Sequence, residues 1–137
     1  MDNAGQYINL GWDQFEKAVD TLVQKLSDRQ FSCIFGEPRG GLTLAVVLSH
    51  RLNIPFSLTP KPGMLWCDDL VDTGHALNLA QKNFPNATFC VWIIRQSVSN
   101  VVFAEELPHD GRWILFPWEF KGNFLNDQIA YKQSRGL

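Results

Sequence analysis

Three aspartates, a threonine and a glycine crowded between positions 68 and 74 are the residues of this chain best suited to chemistry. They lie in the run Met64-Leu65-Trp66-Cys67-Asp68-Asp69-Leu70-Val71-Asp72-Thr73-Gly74-His75-Ala76. It reads as a short apolar strand ending in two adjacent carboxylates, a turn through a third, and the start of a helix. Backbone N–H groups at a helix start have no intrahelical partner and sit at the positive end of the helix dipole, so a glycine-containing turn there wraps an anion. A phosphate is the natural guest. Carboxylates beside such a nest repel a phosphate unless they engage something else, such as sugar hydroxyls or a magnesium ion. The combination points to a sugar phosphate with a metal; a surface βα turn capped by aspartates is the plain alternative.

A second loop of this kind, Glu37-Pro38-Arg39-Gly40-Gly41, separates the apolar segment 31–35 from an apolar run over 42–52. Small residues let backbone N–H groups approach an anion, and an arginine fork pairs with phosphate oxygens, although most such loops are simply turns. Arg95 ends the apolar segment 88–94. Trp113 lies in Arg112-Trp113-Ile114-Leu115-Phe116-Pro117-Trp118-Glu119, where the aromatics either stack on a planar base or close the core.

Holding these loops together requires a sheet. Trp12, Phe15, Val19, Leu22, Val23 and Leu26 recur at helical spacing behind a Gly11 N-cap, which predicts a docked amphipathic helix. Segments 31–35, 56–59, 64–69, 88–94 and 101–104 read as strands, with Tyr7-Ile8 as a further short strand or anchor. Helices are expected over 42–52, ended by Asn53 and Pro55, and over about 74–84. Strands alternating with helices imply an α/β fold, a parallel sheet flanked by helices in a single domain spanning 1–137. Ligands bind outside the carboxyl ends of such strands, so Arg39, the 68–76 turn and Arg95 share one edge. Residues 120–137 are polar and poorly periodic, a frayed tail or a packing arm.

Composition narrows the function. With 137 residues, 45% hydrophobic and 19% charged, the chain supports one core. A net charge of -2 and a pI near 5.8 give no basic face for a nucleic acid. Cys33, Cys67 and Cys90 are odd in number, not closely spaced and set in apolar runs, which fits buried thiols better than disulfides or zinc. No stretch is long and apolar enough for a membrane span, and the start Met-Asp-Asn-Ala-Gly lacks signal-peptide regions, so a cytoplasmic setting is the expectation.

The segment Asp68-Asp69-Leu70-Val71-Asp72-Thr73-Gly74 resembles the phosphoribosyl pyrophosphate signature of the type I phosphoribosyltransferases, in particular their bacterial xanthine–guanine branch. Tyr7-Ile8 with Trp12-Asp13, Arg39-Gly40-Gly41, Trp113-Ile114 and Pro117-Trp118-Glu119 follow in the family's order over residues 7–119. The resemblance implies the family's sheet with a small C-terminal hood. It implies that Asp68 and Asp69 face ribose hydroxyls and Mg2+, with Glu119 matching an aspartate near that metal. Asp72, Thr73, Gly74, His75 and Ala76 would cradle the 5′-phosphate, while Arg39, Gly40 and Gly41 meet the pyrophosphate. Asp72 would also exchange a proton with the purine, Arg95 would reach its oxygen, and Trp113 would stack on it with the Ile114 backbone reading its edge. Small-molecule substrates, a glycosyl transfer in purine salvage and a homo-oligomer follow from the same resemblance.

Three features depart from the family. The connector between Leu52 and Met64 is short and proline-rich, with Lys61, where the family carries a long flexible catalytic loop. His75 and Ala76 replace a small and a hydroxyl residue, and Arg95 replaces a lysine. Besides the enzyme reading, a lidless relative that binds a nucleotide or phosphoribosyl pyrophosphate as sensor or sequestering protein fits these departures. An unrelated doubly wound phosphate-binding domain is a third reading.

Overall fold

The chain of the computed structural model, which describes residues 7–134, threads strands and helices in alternation. It runs β1 (Tyr7–Asn9), α1 (Trp12–Leu26), β2 (Ile34–Gly36), α2 (Gly41–Leu52), β3 (Leu65–Val71), α3 (His75–Asn83), β4 (Thr88–Ile94), β5 (Val102–Glu106), β6 (Trp113–Leu115), a 3-10 turn (Lys121–Asn123) and α4 (Phe124–Ser134). Residues 1–6, read above for leader features, and 135–137, the end of the polar tail, lie outside the described residues.

Strands β2 to β5 form one parallel sheet in chain order, with β3 and β4 central. Every residue of β3 is buried. Helices cover both faces, which is why the central strands read as continuous apolar runs rather than alternating ones. Side chains on either side of the pleat enter two cores: Leu65, Cys67 and Trp92 meet α1 and α2, whereas Trp66, Phe89 and Val91 meet Leu77 of α3. The three cysteines are free and buried. Cys67 and Cys90 are register partners with sulfurs 3.4 Å apart, and burial pushes the Cys67 thiol well up, so it packs as a neutral core group.

Two local expectations need correction. The strand over 56–59 reduces to a single bridge between Phe56 and Ile34, because Ser57 hydrogen-bonds Thr59 locally and Pro60 cannot extend a ladder. Trp12, expected in the core, is 54% exposed, while Phe15, Ala18, Val19, Leu22 and Leu26 form the buried face of α1. Neighbours β4 and β5 run parallel although only residues 95–101, without a helix, connect them.

A second, two-stranded parallel sheet pairs β1 with β6, setting Tyr7 beside Trp113 and Ile8 beside Ile114. The small hood thus takes its second strand from the N-terminal side. An aromatic cluster ties it to the main sheet: Trp92 meets Phe15 at 5.5 Å, Phe116 at 5.4 Å and Trp118 at 6.1 Å between ring centroids. The polar tail forms α4 and acts as a packing arm, its Tyr131 edge-on to Trp113 at 5.3 Å.

Arg95, at the carboxyl end of β4, secures the loop between β5 and β6. Its Nε donates to the Leu107 carbonyl at 3.2 Å, Nη1 to that of Arg112 at 2.5 Å, and Nη2 to that of Pro108 at 3.4 Å and to Asp110 Oδ1 at 3.3 Å. A guanidinium is 5% exposed here because its donors are spent on that loop. Arg112 completes the knot, donating from Nε to Asp110 Oδ2 at 2.8 Å and from its backbone to Oδ1 at 3.0 Å.

Two measurements follow. Trp92→Ala removes a fully buried indole shared by α1, β4 and the hood, and should cost about 3–5 kcal/mol in denaturant unfolding; a loss under about 1 kcal/mol contradicts the packing described. The hydrogen bonds from Arg112 hold the Asp110 carboxyl below its ordinary 3.8, at about 2. A carboxyl depressed in the folded state stabilises above its unfolded pKa and loses that contribution as pH falls through the folded one. The carboxyl carbon of Asp110 should therefore titrate in NMR with a midpoint at about 2, and Arg112→Ala should return it toward 3.8. A midpoint already at 3.8 in the unsubstituted chain contradicts the pairing.

Candidate functional site

The carboxyl edge of β3 gathers the carboxylates that the sequence singled out. Asp68 is 1% exposed and Asp69 8%. A buried carboxylate is costly without polar neighbours. Asp68 Oδ1 accepts the Asp69 N–H at 2.9 Å, and Asp69 lies against the glycine loop that follows β2. A Cβ on Gly40 would stand 2.0 Å from Asp69 Oδ2, and one on Gly41 would stand 2.4 Å from the Cys67 carbonyl. Only glycine lets the start of α2 approach this closely. The loop is stapled to β3 by the Glu37 N–H donating to the Cys67 carbonyl at 2.8 Å, the Pro38–Arg39 peptide is cis, and Arg39 is solvent-exposed. Arg39, Gly40 and Gly41 thus lie beside Asp68 and Asp69, as expected of adjoining loops.

Beyond Val71 the chain turns through Asp72, Thr73 and Gly74 into α3. Gly74 is its N-cap with φ 88°, a left-handed conformation suited to glycine, and the Thr73 hydroxyl accepts the His75 N–H at 3.3 Å. The other N–H groups of the first helical turn have no intrahelical partner. A crevice of about 10 Å³ opens at residues 70–77, and Tyr131 of α4 forms its far wall. His75 and Ala76 also border a larger cavity of about 290 Å³, shared with Glu37, Trp66, Pro60 and Leu79.

Asp72 is gripped from two loops. His109 Nε2 lies 3.1 Å from Asp72 Oδ1, and Gln96 Nε2 donates to the Asp72 carbonyl oxygen at 2.9 Å. Neither His109, Gln96 nor Tyr131 was singled out from sequence. The turn residues Pro108-His109-Asp110-Gly111 after a strand would have flagged a fourth loop at this edge.

Other expected residues are placed elsewhere. Arg95 follows β4 at the right edge, but its guanidinium is committed to the 107–112 loop rather than turned to a ligand. Trp113 packs in the hood with Tyr7 and Tyr131, and Ile114 is buried in the main core. Glu119 folds back on its own turn, Oε1 accepting the Phe116 N–H at 2.8 Å. Among the described residues no cluster of three His, Cys, Asp or Glu side chains could cage a metal ion, so Glu119 is not assembled with Asp68 and Asp69. Those two carboxylates still fit a magnesium ion that takes its remaining ligands from phosphate and water, the usual arrangement for that hard, strongly hydrated cation. Among the described residues no helix is long and apolar enough to cross a membrane.

Comparison with known proteins agrees with this architecture. No protein-family model matches the chain. It is 26% identical to the xanthine-guanine phosphoribosyltransferase of Chromohalobacter salexigens over 98% of both chains, and 27% identical to that of Desulfotalea psychrophila over 90% of this chain and 93% of the other. A crystal structure of a purine phosphoribosyltransferase from Pyrococcus horikoshii superposes with a TM-score of 0.69 at 26% identity, covering 84% of this chain and 95% of that one. The first of these alignments spans 159 positions against 137 residues here, so at least 22 positions of that relative have no counterpart, in keeping with a missing loop. The named relatives are enzymes, which leaves the sensor or sequestering reading without support. By sequence and by fold the chain is similar to the type I purine phosphoribosyltransferases, enzymes of the glycosyltransferase type, and is shorter than the first of these relatives.

Proposed function

We propose that the protein transfers the phosphoribosyl group of phosphoribosyl pyrophosphate to a 6-oxopurine, guanine, xanthine or hypoxanthine, in purine salvage. The observation that carries this reading is the edge of β3, where buried Asp68 and Asp69, the glycine loop with Arg39 and the Asp72–Gly74 turn lie side by side. In the reaction a purine ring nitrogen forms a bond to the anomeric carbon of the ribose. The bond from that carbon to the pyrophosphate oxygen breaks, pyrophosphate leaves with the electron pair, and the purine N–H proton passes to Asp72.

The residues divide this work by their chemistry. The backbone N–H groups of 73–76 and the Thr73 hydroxyl suit the 5′-phosphate. Arg39 and the Gly40 amide suit the departing pyrophosphate, whose growing charge they stabilise, while the Gly41 N–H holds the loop by donating to the Glu37 carbonyl at 2.8 Å. Asp68 and Asp69 would hold the ribose hydroxyls and Mg2+. When bound, Mg2+ supplies neutralisation of pyrophosphate oxygens. Asp72 accepts the purine proton, a role that needs a carboxylate at hydrogen-bond distance from the ring. The purine would lie toward the hood, with Trp113 and the Ile114 backbone along one wall. Arg95 would act there by holding the 107–112 loop.

Purified protein with Mg2+ and phosphoribosyl pyrophosphate should release pyrophosphate in the presence of at least one of the three purines. Asp72→Asn should slow that release by about a hundredfold or more. No release with any purine, or an Asp72→Asn variant as fast as the unsubstituted protein, contradicts the assignment.

A further inference from the structure

We infer that His109 is the positioning residue for Asp72, fixing the carboxylate in one orientation from a loop that carries no other part of the proposed machinery. The inference rests on the reading of Asp72 as the purine-side base.

The geometry sets the roles of the two imidazole nitrogens. Nδ1 of His109 accepts the backbone N–H of Gly111 at 3.3 Å, so that nitrogen carries a lone pair. The ring proton is thereby assigned to Nε2, the atom 3.1 Å from Asp72 Oδ1. A neutral imidazole in this tautomer donates one hydrogen bond to the carboxylate and withholds the positive charge that would weaken it as a base. The Asp72 side chain is 16% exposed, so this contact is shielded on the carboxylate side. Asp72 Oδ2 has no hydrogen-bonding partner among the described residues and stays available to a purine N–H.

The loop that presents His109 is tied down by side-chain hydrogen bonds. Arg95 donates to three of its carbonyls and to Asp110, and Asp110 in turn binds Arg112. Gly111, the residue that fixes the tautomer, has φ 87°. On the other side Gln96 holds the Asp72 carbonyl oxygen at 2.9 Å. Backbone and carboxylate of Asp72 are therefore tethered separately, by the loops after β4 and β5. The substitution of arginine for lysine at position 95 gains a purpose in this arrangement, since a guanidinium reaches several acceptors at once whereas an ammonium is a compact point charge.

The test is steady-state pyrophosphate release by the full chain and its His109→Ala and His109→Gln variants, with thermal melting as a check on folding. His109 is 56% exposed, so both variants should melt with the parent. His109→Ala should lower kcat roughly tenfold to a hundredfold while KM for phosphoribosyl pyrophosphate changes little, because a misplaced catalytic group costs rate more than binding. His109→Gln retains an N–H donor at the Nε2 position and should recover most of kcat. In the unsubstituted protein the imidazole 15N shifts should show Nε2 protonated and Nδ1 bare. A His109→Ala kcat equal to the parent, a His109→Gln variant as slow as His109→Ala, or a protonated Nδ1 overturns the inference while the proposed activity stands. Absence of turnover in the unsubstituted protein overturns that activity and this role with it.

Discussion

Two adjacent carboxylates buried at the end of a central parallel strand set the terms for the rest of this molecule. The surroundings of β3 are otherwise apolar, with helices on both faces, and an ionised group placed there must find polar neighbours or lose its charge. Asp68 finds one in the backbone N–H of Asp69. Asp69 is covered by a chain segment without side chains, and the approach of Gly40 and Gly41 is so close that any Cβ would collide. From that contact follow the start of α2, the stapling of Glu37 to β3 and the exposed position of Arg39. The carboxylates are therefore both the reason for the local packing and the most valuable chemical feature it displays.

The remainder of the edge is built by locking loops to one another. Arg95 is a cation inside the protein, satisfied by carbonyls of the loop between β5 and β6, the loop whose His109 lies 3.1 Å from Asp72. Tyr131 stands beside the nest at 70–77, so α4 borders the place where a phosphate would sit. In a chain whose connector over 53–63 is short, Tyr131 of this arm borders the crevice at 70–77, and the 107–112 loop reaches the same edge through His109.

Much of this was legible in the sequence. The strand–turn–helix pattern around Asp68 and Gly74 was clear because apolar runs, paired carboxylates and a glycine at the helix start each leave a local signature. The same holds for α1, whose period survives except at Trp12, half-exposed at the helix start with its ring edge-on to Phe15 at 5.6 Å. Less visible were features that depend on contacts distant in the chain. The 56–59 strand stops after one bridge because the Ser57 side chain ties up the backbone of Thr59 and Pro60 has no N–H to extend a ladder. Arg95 reads as ligand-facing by its place after a strand, and only the folded course of 107–112 shows that its donors are already engaged. His109 carried no signal beyond its turn, and its link to Asp72 spans 37 residues of chain.

The account stands or falls on the edge of β3 being where a ribose phosphate settles. Titration of 15N-labelled protein with ribose 5-phosphate tests this directly, since it asks for binding alone and needs neither a purine nor turnover. The amides of Thr73, Gly74, His75 and Ala76 should shift together and saturate, with Gly40 and Gly41 unmoved until pyrophosphate is added. Shifts confined to the cavity beside Trp66 and Leu79, or no shifts at all, would contradict it.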